Sequence, residues 1–247
     1  MMMQEWFSDG FAVQVPAGTS ILDAELQIPA AAKGLIILSQ AGNRGHGSQR
    51  VQNLAEGFLK HGYGFLLMDL LTEEESEIGK QAEERTQGSA GSSFDEGMLA
   101  ERLYDTLDWA RELPEAESLP IGLFGAGAGA WAAFAVASAR PSDVCAVVAA
   151  GITPSEPGLL SQVRTPVLIL CGEVREDALK RGDPAVREDG VARACYEALG
   201  GRKRLECLPG LQEDKGPAKH DWNGNEARVT EKIARLASHW FETYLSE

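Results

Sequence analysis

An α/β three-layer sandwich is predicted, with a mostly parallel sheet of about eight strands and an antiparallel hairpin at its N-terminal end. Three observations predict it. Short continuous apolar runs alternate along the chain with longer amphipathic stretches, the pattern of a parallel sheet covered by helices on both faces. Two early segments, FAVQVP (11–16) and ILDAELQIP (21–29), instead alternate apolar and polar residues around the turn-forming AGTS. That alternation predicts a hairpin with one wet face. The third observation is a run, IGLF (121–124), that breaks into GAGAG (125–129) and then into AWAAFAVASA. This sequence predicts a buried strand, a glycine corner and an apolar helix.

The remaining elements follow in order. GLIILSQ (34–40) is a continuous apolar run suited to a buried strand. SQRVQNLAEGFLKHG (48–62) has helical spacing at Val51, Leu54, Phe58 and Leu59, with Gly62 as its stop. GFLLMDL (64–70) is the next strand. Residues 71–93 are acidic, then Gly- and Ser-rich, with no sustained apolar period, and read as a mobile surface loop that could cap a pocket. FDEGMLAERLYDTLDWARE (94–112) is an amphipathic helix through Met98, Leu99, Leu103, Leu107 and Trp109, closed off by Pro114. The helix after the glycine corner ends at Arg140 and Pro141. VCAVVAAG (144–151) and PVLILCG (166–172) are buried strands joined by a Pro- and Gly-containing segment. EDGVARACYEALGG (188–201) is helical, KRLECLPG (203–210) is the last strand, and residues 225–247 make a terminal helix.

The length of 247 residues and a hydrophobic content of 44% suit one large α/β domain over residues 1–247. No internal repeat, low-complexity tract or linker argues for a second one. With 23 basic against 37 acidic residues the net charge is -14. That balance repels phosphate backbones and anionic lipid, so neither nucleic acid nor a membrane is an expected partner. The start, MMMQEWFSDG, lacks a basic segment followed by an apolar core of about 7 to 15 residues. A soluble, cytoplasmic protein is expected. Cys145, Cys171, Cys195 and Cys207 lack C-x-x-C spacing and read as buried thiols. His46, His61, His220 and His239 show no metal-ligand spacing, and no motif asks for a cofactor.

MDLLTEEES, MLAERLYDTLDWARE, LPIGLFGAGAGAWAA, RTPVLILCGE and EKIARLASHWF together resemble the dienelactone hydrolase-like branch of the α/β-hydrolase superfamily. The likeness extends to esterase-like domains sometimes fused to phosphoribosyltransferases. It spans nearly the whole chain and implies an α/β-hydrolase fold without a large cap domain. A small ester- or lactone-like ligand is implied with it.

The resemblance also implies a site. Its nucleophile, the Ser or Cys of G-x-S/C-x-G, falls on Gly127, which has neither hydroxyl nor thiol. The acid belongs after PVLILCG, where Arg175 stands at or near the usual place. Glu173, Glu176 and Asp177 flank it, Asp177 being preferred. The histidine belongs after the last strand, where Gln212 stands near the usual place and His220 follows within a lengthened loop. Backbone N–H groups of Ala128 and of Gln40 or Ala41 would make the oxyanion hole. In the Gly-rich loop that follows, Arg44 and His46 could touch a ligand.

These residues imply an impaired or inactive esterase. Hydrolysis by another route is the alternative, with His220 activating water or with Ser39 or Ser89 replacing the missing group. A further alternative takes Gly125, Gly127 and Ala130 as the G-x-G-x-x-A turn of a nucleotide-binding fold. That motif should follow the first strand of its unit, and an acid should end the next strand. Here it follows the fifth strand-like run, and VCAVVAAG ends without an acid. Trp131, four residues after Gly127, is a candidate to fill space beside the pocket.

Overall fold

The computed structural model describes residues 10–41, 49–86, 95–152, 157–172, 185–208 and 225–245. Their strands form one eight-stranded sheet in the order β1-β2-β4-β3-β5-β6-β7-β8. The hairpin strands β1 (Phe11–Ala17) and β2 (Ser20–Gln27) pair antiparallel, turning at Gly18. β2 then runs antiparallel to β4 (Gly64–Asp69). From β4 onward, β3 (Leu35–Ala41), β5 (Ile121–Gly127), β6 (Ala146–Ala150), β7 (Val167–Gly172) and β8 (Lys203–Leu208) are parallel neighbours in that order.

The continuous apolar runs are explained by a sheet covered on both sides. Successive residues of one strand feed opposite cores. Leu35 and Ile37 of β3 belong to one core, while Ile36 and Leu38 belong to the other. The first core is closed by α3 (Glu96–Glu112), α4 (Ala128–Ala139), α5 (Pro157–Leu160) and α6 (Ala185–Ala198). The second is closed by α1 (Gln49–Lys60) and α7 (Asn225–Tyr244). At its centre Phe241 meets Phe58 edge-on, with ring centroids 5.9 Å apart, and Tyr63 at 6.4 Å. No helix among the described residues is long and apolar enough to cross a membrane.

One expectation is corrected. Residues 71–93 were predicted as a loop, but Glu73–Thr86 form a helix, α2, while 87–93 lie outside the described residues. The cause is local capping that compensates for a weak apolar period. Thr72 Oγ1 accepts from the Glu75 backbone N–H at 3.2 Å, while Glu75 Oε2 accepts from the Thr72 N–H at 2.8 Å. This reciprocal pair satisfies two N–H groups at the helix start. Three glutamates in the first turn also complement the helix dipole. The cysteine expectation changes too, since Cys171 and Cys195 are buried, Cys145 is half-buried and Cys207 is exposed.

Candidate active site

The parallel strands all end at one edge of the sheet, and the glycine corner lies at the centre of that edge. β5 continues through Gly127, and α4 begins at the next residue. The chain therefore reverses within a single peptide unit. Such a reversal brings backbone very close to backbone, and the two outer glycines show how close. A Cβ on Gly125 would lie 2.5 Å from both Ala130 Cα and the Gly129 carbonyl oxygen. One on Gly129 would lie 2.8 Å from the Ser39 carbonyl carbon and 3.0 Å from Gln40 Cα. Packing of α4 against β5 and β3 leaves no room for either side chain.

The middle glycine differs. Gly127 has φ +58° and ψ -125°, a backbone conformation that strains any L residue. Yet among the described residues a Cβ there would have no neighbour within 4 Å. A side chain carried at residue 127 would therefore meet no described residue at its first carbon. Gly127 also stands as the N-cap of α4 without a side-chain hydrogen bond. Ala128, nearly buried, opens the helix, where the first N–H groups have no partner within the helix.

The sheet register brings the other backbone donors to the same edge. Gln40 pairs with Ala126 and Ala41 with Gly127, so the end of β3 lies level with the corner. Three polar side-chain atoms nearby, Ser39 Oγ, Gln40 Nε2 and Trp131 Nε1, are buried with no hydrogen-bond partner among the described residues. Unsatisfied buried polar atoms are uncommon in a protein interior. Ser39 is only 2% exposed and is registered with Gly125, two residues short of Gly127.

A network that the sequence reading missed supports this end of β3. Leu70, just after β4, donates its N–H to the Gln40 carbonyl at 2.8 Å. Its own carbonyl accepts from Arg102 Nη1 at 2.7 Å. The Arg102 guanidinium is buried and also donates to both carboxylate oxygens of Glu75, at 2.6 and 2.8 Å, and to Ser20 Oγ at 2.9 Å. Arg102's hydrogen bond, reinforced by the N–H and hydroxyl of Thr72, holds the Glu75 carboxyl down to about 2 despite partial burial. Beside it, Asp69 Oδ1 accepts from the Leu71 N–H at 3.0 Å and tightens the turn out of β4. Two signals could have revealed the network: the spacing Thr72-x-x-Glu75 and an arginine set among the apolar positions of α3.

Ala128, Gln40, Ala41 and Gly127 thus meet at one edge. His220, Asp177 and its alternatives Glu173 and Glu176 lie outside the described residues, as do Arg44, His46, Ser89, Arg175 and Gln212. The strands leading to the acid and histidine segments are described. Gly172 ends β7, Leu208 ends β8, and the two are paired, so both segments leave from the edge that carries Gly127. β6 ends at Ala150, followed by Gly151 and Ile152, none of which carries a carboxylate.

Comparison with known proteins identifies the scaffold. The family model of the dienelactone hydrolases matches residues 22–187. The crystal structure of a dienelactone hydrolase from Anabaena variabilis is 33% identical and covers 96% of this chain and 98% of its own, with a TM-score of 0.73. Est1E from Butyrivibrio proteoclasticus, 13% identical with a TM-score of 0.65, shares the fold over 95% of this chain and 100% of its own. Two strains of Mycobacterium tuberculosis hold a relative provisionally named a phosphoribosyl transferase, 31% identical over 94% of this chain. This chain spans about half the length of those curated relatives, 46%. With a family match over most of its residues and a sheet of the same architecture, the chain belongs to the dienelactone hydrolase family of α/β-hydrolase-fold proteins.

Proposed function

We propose that this protein is a dienelactone hydrolase-like member whose nucleophile position is vacated at Gly127, leaving it impaired or inactive as a conventional esterase while it keeps a pocket for a small ester- or lactone-like ligand. One observation carries the reading. Gly125 and Gly129 are sterically forced to be glycine, whereas Gly127 holds a strained conformation in which no described residue stands where a side chain would begin. A corner of that shape serves to present an attacking atom. In a serine hydrolase, loss of that atom removes about a millionfold of rate and leaves roughly 10³ to 10⁴ over water.

The remaining roles follow from the same reading. The N–H groups of Ala128 and of Gln40 or Ala41 would receive a ligand carbonyl oxygen, and the indole N–H of Trp131 and the Gln40 amide are further donors in search of acceptors. His220, oriented by Asp177, Glu173 or Glu176, would face the corner. We read residues 1–247 as one domain, supported by the single sheet that all described strands share. The phosphoribosyl transfer named for the mycobacterial relatives is not carried over to this chain, which spans 46% of their length.

The test is active-site labelling. Purified protein should give no burst with an activated ester and no covalent adduct with a fluorophosphonate. Stoichiometric labelling would overturn the reading.

A further inference from the structure

We propose that Cys171 and Cys207 form a reversible intrachain disulfide that staples the last two strands of the sheet at their carboxyl ends. Neither sequence spacing nor the hydrolase reading calls for this pair; the sheet register creates it. β7 and β8 are parallel, and Cys171 and Cys207 are registered partners, so their side chains leave the same face. Adjacent strands run about 4.7 to 4.9 Å apart, inside the Cα separation that a disulfide spans. The two Sγ atoms already lie 3.0 Å apart, with no disulfide joining them. Closing to the bond length of about 2 Å takes a small side-chain rotation.

The surroundings divide the two thiols into distinct roles. Cys207 sits exposed on β8, the edge strand, whereas Cys171 is 5% exposed among Val167, Ile169 and the α4 and α6 side chains. An oxidant in water meets Cys207 first. With a peroxide as the oxidant, the Cys207 sulfur attacks one oxygen and the O–O bond breaks. The second oxygen leaves as water with the thiol proton, and Cys207 becomes a sulfenic acid. Cys171 sulfur then attacks Cys207 sulfur, the S–O bond breaks, and hydroxide departs with the Cys171 proton as a second water. Two sulfurs have lost two electrons in total, and one peroxide has become two waters.

The staple would act on a vulnerable part of the fold. Among the described residues β8 pairs on one side only, with β7, and an edge strand frays more readily than a central one. Each cysteine stands one residue before its strand ends, so the bond ties together the roots of segments 173–184 and 209–224.

Brief treatment with hydrogen peroxide, alkylation under denaturing conditions and tryptic mass mapping tests this. Peptide 165–175 should appear bonded to peptide 205–215, lighter than the two thiol peptides together by about 2 Da. Of the four cysteines, only Cys145 and Cys195 should remain alkylated. The melting temperature of the parent should rise by several degrees, while Cys207→Ser shows neither crosslink nor rise. Four alkylated cysteines after treatment, bridges involving Cys145 or Cys195, dimers through Cys207, or a bridge that leaves melting unchanged would each overturn the proposal. Dithiothreitol should return the parent to four alkylatable thiols, and an irreversible product would sink reversibility.

Discussion

Ala41 and Gly127 face each other as the last registered pair of β3 and β5, which sets the strand end entering residues 42–48 level with the start of α4. Two backbone stretches from distant parts of the chain therefore lie side by side, and the Cβ position of Gly127 meets no described residue within 4 Å. Restoring a hydroxyl at this position is the most direct test of that geometry. Gly127→Ser should fold, with a loss of about 1 to 3 kcal/mol from the positive φ. It should gain ester hydrolysis of at least roughly 10²-fold over the parent, with a burst and a fluorophosphonate adduct. Gly127→Ala carries the same strain without the hydroxyl and should gain nothing. A folded serine variant that stays inactive would remove His220 from the site.

The outer glycines should respond in the opposite way. Gly125→Ala and Gly129→Ala push a methyl group against backbone of α4 and of β3, neither of which can rotate aside. Each should cost about 3 kcal/mol, clearly more than Gly127→Ala. Urea denaturation of the three alanine variants side by side checks the order. Equal losses would mean that Gly127 is as crowded as its neighbours.

Arg102 and Glu75 predict a pH dependence. The folded Glu75 carboxyl titrates near 2 against an ordinary 4.5, so the unfolded chain binds the extra proton between those values. Its contribution is therefore present in full above about pH 4.5 and is lost as pH falls toward 2. The difference corresponds to at most about 3 kcal/mol, less after solvent screening of the 28% exposed carboxylate. Glu75→Gln should lower the urea midpoint at pH 7, and the gap to the parent should narrow steadily as pH drops from 4.5. A gap independent of pH would contradict the assigned charge pairing.

Phe241 gives a test of the second core that leaves the corner alone. Its ring is fully buried and stands edge-on to Phe58 and Tyr63. It also occupies the space that a side chain at residue 122 would take, with a ring carbon 2.5 Å from the Cβ position of Gly122. Phe241→Ala should cost about 3 to 5 kcal/mol by denaturant unfolding. A loss below about 1 kcal/mol would mean that α7 packs more loosely than its edge-to-face contacts imply.

Much of the architecture could be read from pattern because each pattern has a local cause. A strand buried on both faces must be apolar throughout, as Leu35 to Leu38 are, and a half-wet hairpin must alternate, as residues 11–29 do. The helix Glu73–Thr86 escaped this logic. It has few apolar residues, and its start is held by Thr72, Glu75 and the distant Arg102 rather than by a buried stripe. Arg102 escaped for a related reason, since an arginine in a helix is ordinarily a surface residue until the fold brings it a carboxylate.

The amino-acid sequence by itself determined the alternation of strands and helices and the absence of a hydroxyl or thiol at residue 127, because chemistry that a side chain lacks cannot be restored by folding. Only the tertiary structure decided that Gly125 and Gly129 are required while Gly127 has room. It alone decided that Leu70 and Arg102 support the end of β3, and that Cys171 lies 3.0 Å from Cys207. The physical reason is that residue spacing along a chain carries no distance between segments. Residues 39 and 129, or 171 and 207, become neighbours only when sheet register and helix packing bring their backbones together.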